Sequence, residues 1–72
     1  MNNMKIKQEK ASDANSRWWN FIETLSDEFI RQTGVGLYTH ITPLDVRHVY
    51  KDFQQKQTPI RSFTREYVRP YV

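Results

Sequence analysis

Two Thr-Pro pairs, Thr42-Pro43 and Thr58-Pro59, constrain the fold of this chain more than any other feature. A threonine hydroxyl accepts a backbone N–H from the first helical turn, and a proline directly after it loses only an N–H that has no partner there. Each pair therefore predicts a helix start. Asp45 adds negative charge at the positive end of the first of these helices. From 43 to about 54 the apolar residues Val46, Val49, Tyr50 and Phe53 keep helical spacing. From 59 to about 68, Ile60, Phe63 and Tyr67 do the same until Pro70 stops the helix.

An earlier helix is predicted over about 15–33. Trp18, Phe21, Ile22, Leu25 and Phe29 recur every three or four residues along one face. Asp13, Asn15 or Ser16 can cap its start, and Gly34 supplies a left-handed stop. Between the first two helices, VGLYTHI (35–41) alternates weakly, but a lone strand has nothing to pair with in this chain. It is expected to be a connecting loop that packs Leu37 and Ile41 onto the helices. The reading is all-α: a small three-helix orthogonal bundle over 15–72, with a helix-turn-helix-like last pair joined by the turn Gln54-Gln55-Lys56-Gln57.

The 72 residues include no cysteine, so packing or association must hold the fold, without a disulfide or a thiolate metal site. The core must come from the two Trp, four Tyr and four Phe. Residues 1–14 are too polar to order a core and are expected to form a flexible basic arm. No apolar run approaches the ~20 residues needed to span a bilayer, and no apolar segment follows the N-terminal lysines. A cytoplasmic protein with no membrane partner is the resulting expectation.

The net charge of +3 is unevenly distributed. Residues 34–72 hold six basic side chains against three acidic, whereas residues 17–33 hold two against three. On the last helix Arg61, Arg65 and Arg69 repeat every four residues and form one stripe, centred roughly 150° from Ile60, Phe63 and Tyr67 on the helical wheel. An arginine fork matches phosphate oxygens and guanine edges, so the stripe, with Lys51, Lys56 and the lysines of the arm, is the candidate nucleic-acid surface. The plainer alternative is a solvated face whose charge suits a helix C-terminus.

The first helix carries a broader apolar arc than a small bundle needs. Trp18, Trp19 and Ile30 are its candidate protein-interaction residues, for a second copy in a homodimer or for a foreign partner. This makes an adaptor or inhibitor the alternative to nucleic-acid binding. His40, Asp45, His48 and Asp52 are the only clustered metal-ligand types, but three of them share one exposed helix face, so no metal or other cofactor is expected. No Ser-His-Asp set and no glycine-rich phosphate loop occurs, and the expectation is a non-enzymatic binding module.

Overall fold

The computed structural model describes residues 15–72 in full and, before them, only the helical backbone of the first helix. The basic arm expected over 1–14 lies outside the fully described residues. The elements in order are α1 (Asn2–Thr33), α2 (Leu37–His40), α3 (Pro43–Lys56), α4 (Ile60–Val68) and a closing 3-10 turn (Arg69–Tyr71). There is no strand among the described residues, and the chain is all-α.

α1 ends where expected. The Gly34 amide donates to Ile30 O at 2.9 Å with Gly34 at φ 88°, a conformation that glycine adopts without a Cβ penalty. The segment expected to be a loop contains one helical turn, α2. The turn puts Leu37 and His40 on one side, where Leu37 is buried and His40 stacks on Phe29 with ring centroids 4.8 Å apart. Leu37 and Ile41 are both buried, so their packing role is as expected.

α3 starts at the first Thr-Pro pair as predicted and continues two residues past the expected end, to Lys56. The reversal into α4 is made by Gln57 in the left-handed conformation (φ 54°, ψ 32°), followed by Thr58 and Pro59. The second Thr-Pro pair works differently from the first. Pro59, rather than Thr58, stands at the N-cap of α4, where no side chain caps the first turn and Phe63 N donates to Pro59 O at 3.0 Å.

Phe21, Leu25 and Phe29 of α1 are fully buried and form the spine of the core. Phe21 meets Phe63 and, eight residues on, Phe29 meets Tyr67, so α1 and α4 run in the same sense. Phe21 also packs on Tyr50 and Phe53, while His40, just before α3, packs on Phe29, so α3 runs the opposite way. Val46, Val49, Phe63 and Val68 complete the buried set. Burying a side chain of this kind contributes roughly 1.5–3 kcal/mol against the large entropy cost of ordering so short a chain.

Candidate nucleic-acid interface

The buried face of α4 is wider than its apolar pattern. Besides Phe63, with Ile60 and Tyr67 half-buried, it includes Thr64 and Val68, both fully buried. Thr64 satisfies its hydroxyl by donating to Arg61 O at 3.2 Å. With Phe63 as origin and ~100° per residue, the buried arc runs to about 140° at Val68, and Arg61, Arg65 and Arg69 follow at about 160°, 200° and 240°. The stripe thus begins where the packed face ends. All three arginines are exposed.

Their charges are engaged to different degrees. The Arg69 guanidinium lies 3.6 Å from Glu66, and Lys56 lies 3.5 Å from Asp52, both solvent-exposed pairs of the weak kind. Arg61 and Arg65 have no ion pair among the described residues. The backbone beneath them is tied to α1, where Gln32 Nε2 donates to Arg65 O at 3.3 Å and to Glu28 Oε2 at 2.8 Å. That places the Glu28 and Gln32 edge of α1 alongside the stripe.

The two expected lysines stand differently relative to the row. Lys56 lines a groove of about 360 Å³ between α3 and α4 together with Asp52, Thr58, Ser62, Phe63, Glu66 and Tyr67. On α4, Ser62 and Glu66 lie about 100° on from Arg61 and Arg65, but Ser62 is within about 20° of Arg69, which pairs with Glu66, so the groove flanks the Arg69 end of the row. Lys51 is exposed on α3, about half a turn round from buried Val49 and from half-buried Phe53.

The three residues expected to bind protein are also divided. Trp18 is half-buried and packs edge-on to Tyr50 at 5.0 Å, as part of the core. Trp19 and Ile30 are 58% and 51% exposed. Sequence periodicity did not single out Val35, Tyr38, Leu44 and Val72 as exposed apolar residues, which they are.

The four metal-ligand types are occupied separately. Asp45 belongs to the capping box of α3, Asp52 pairs with Lys56, His48 is exposed, and the half-buried His40 has Nε2 at 2.9 Å from Thr33 Oγ1. Thr33 Oγ1 is also 2.7 Å from Phe29 O, to which it donates. Among the described residues no three His, Cys, Asp or Glu side chains come together as a metal site. No helix among the described residues is long and apolar enough to cross a membrane. Set against known protein families, characterised proteins and solved structures, the chain matches none.

Proposed function

We propose that the protein is a non-enzymatic nucleic-acid-binding module of the cytoplasm, with α4 as its contacting helix. The observation that carries this reading is the pair Arg61 and Arg65, exposed one turn apart with no carboxylate partner among the described residues. Two unneutralised guanidinium groups on a helix whose packed face adjoins them are suited to phosphate oxygens, which accept their planar forks. Arg69 extends the row once its exposed pair with Glu66 opens, at little cost. α3, the Gln57 reversal and α4 then act as a helix-turn-helix-like unit in which α4 faces the duplex.

The test is titration of the full chain with nonspecific duplex DNA across salt concentrations. Removing one arginine–phosphate contact lowers the slope of log affinity against log salt by roughly 0.9, so replacing Arg61, Arg65 and Arg69 together by glutamine flattens it by about three units. Unchanged DNA binding in the triple variant removes α4 as the contact. No binding by the natural chain at low salt removes the function.

A further inference from the structure

α1 presents a second surface of opposite character. Trp19 and Ile30 are eleven residues apart, close to three full turns, so both project from one side of the helix about 16 Å apart along its axis. Both are more than half exposed, and Trp19 makes no aromatic ring contact among the described residues, although its neighbour Trp18 packs on Tyr50. Between the two anchors stand Glu23 and Asp27, exposed and without an ion pair or hydrogen bond among the described residues. Arg31, one turn beyond Asp27, is exposed and likewise forms no ion pair among the described residues.

We infer that this face of α1 docks a basic amphipathic helix of a partner protein, with Trp19 and Ile30 as its apolar anchors and Glu23 and Asp27 as its charge-reading groups. Charge complementarity selects this occupant. An apolar face interrupted by unpaired carboxylates repels a phosphate backbone, but it complements a helix that offers apolar side chains with Lys or Arg between them. A second copy fits poorly. Two α1 faces packed antiparallel gather Glu23 and Asp27 of both chains in one place, and like charges so placed oppose association. The chain's own basic helix, α4, has its apolar side buried against α1 and α3 and has none left to offer. An indole more than half exposed, as Trp19 is at one end of this patch, is the side-chain type that most often dominates binding energy.

This inference does not depend on the nucleic-acid reading, since it uses another helix and the opposite charge. It is tested on the full chain carrying Trp18→Phe, so that Trp19 is the one indole, titrated at physiological salt with a synthetic amphipathic Leu/Lys helical peptide. The expected result is a saturable blue shift of Trp19 emission. Trp19→Ala, followed by calorimetry, weakens binding by about tenfold or more. Glu23→Lys with Asp27→Lys weakens it similarly and transfers preference to the matching Leu/Glu peptide, whereas Arg61→Gln with Arg65→Gln leaves it unchanged. Circular dichroism of each variant confirms that the helices persist. The inference fails if no saturable shift appears up to about 100 μM peptide, a concentration that detects even weak association. It fails equally if a scrambled, non-amphipathic peptide of the same charge binds as well. Sedimentation at twice the monomer mass, abolished by Trp19→Glu, would replace the foreign helix with a second copy.

Discussion

Thr42 and Asp45 hold each other across the first turn of α3. Asp45 N donates to Thr42 Oγ1 at 3.2 Å, and Thr42 N donates to Asp45 Oδ2 at 3.1 Å, which satisfies two amides that an open helix end leaves without partners. Thr58 has no such role, because Pro59 occupies the cap of α4 and no side chain bonds there. Thr42→Ala is therefore expected to cost about 1 kcal/mol in urea unfolding, and Thr58→Ala to stay within about 0.5 kcal/mol of the natural chain. Equal losses at the two sites would show that the capping geometry does not separate them.

The same pair gives α3 a pH dependence. The Thr42 backbone amide, and then its hydroxyl, lowers the Asp45 pKa from the ordinary 3.8. A depressed carboxylate contributes stability that is fully present above its unfolded pKa and is lost as pH falls through the folded one. Stability is thus expected to decline below about pH 4 through this group, and Asp45→Asn to remove that part of the decline while costing stability at neutral pH. An acid limb unaltered by Asp45→Asn would mean that other carboxylates control it.

Tyr67 supplies the alkaline counterpart. Burial raises its pKa, and the Tyr71 hydroxyl at 3.4 Å raises it further. For a raised pKa the contribution is complete below the unfolded value of 10.0 and is lost as pH rises above it, because the unfolded chain releases its proton first. Spectrophotometric titration of the four tyrosines should show one ionising late, and Tyr67→Phe should abolish that late step. The variant should also weaken the alkaline fall in stability. Retention of the late step in Tyr67→Phe would assign it to another tyrosine.

The helix boundaries were legible in the sequence where local chemistry determines them: Thr42-Pro43-Leu44-Asp45 at one start and Gly34 at one end. They were less legible where tertiary packing decides. Thr58-Pro59 looks like the first pair, but α4 begins one residue later, so Thr58 stands before the cap, and Arg61 cannot return the reciprocal bond that Asp45 makes to Thr42. The helical turn in 35–41 buries Leu37, as its apolar side chain foretold, and stacks His40 on Phe29, a contact that no local pattern announces. Polar residues hid part of the packed surface. Thr64 does not count as apolar in a periodicity argument, yet it is fully buried, and with Val68 it shifts the buried face of α4 toward the arginines. The exposure of Arg61, Arg65 and Arg69 followed from their spacing. Where Lys51 and Lys56 stand relative to them depends on where α3 and α4 meet, which spacing within one helix does not contain. The adjacent tryptophans pose the same problem: a step of about 100° decides that Trp18 enters the core and Trp19 does not.

Gln57 closes α3 at positive φ without being glycine, a conformation that costs an ordinary side chain roughly 1 kcal/mol. Gln57→Gly removes that strain but gives the unfolded chain more freedom, so its net effect is expected to lie between neutral and about 1 kcal/mol stabilising. Gly34→Ala, at φ 88°, is expected to destabilise by about 1 kcal/mol although its Cβ meets nothing within 4 Å, because the penalty lies in the backbone. Thermal unfolding of the two variants in opposite directions is the outcome to look for. A stabilised Gly34→Ala would contradict the left-handed stop of α1.

Thr64 links packing to the proposed function, since it lies fully buried on the face of α4 that adjoins the arginine row. Its hydroxyl returns to Arg61 O at 3.2 Å, so the site needs no other polar partner. Thr64→Ser keeps that bond, loses one methyl group and should cost about 1 kcal/mol. Thr64→Leu keeps the site apolar but forces a longer side chain into a filled space, with an expected cost of about 1–3 kcal/mol and a displacement of α4 relative to α1. If α4 must be held in place for its arginines to meet phosphates together, Thr64→Leu lowers DNA affinity although it changes no charge, while Thr64→Ser leaves affinity near that of the natural chain. The comparison is made by DNA titration at low salt, at a temperature where circular dichroism shows both variants folded. Equal affinity for Thr64→Leu and the natural chain would mean that the arginines act as loose charges whose placement on α4 is immaterial.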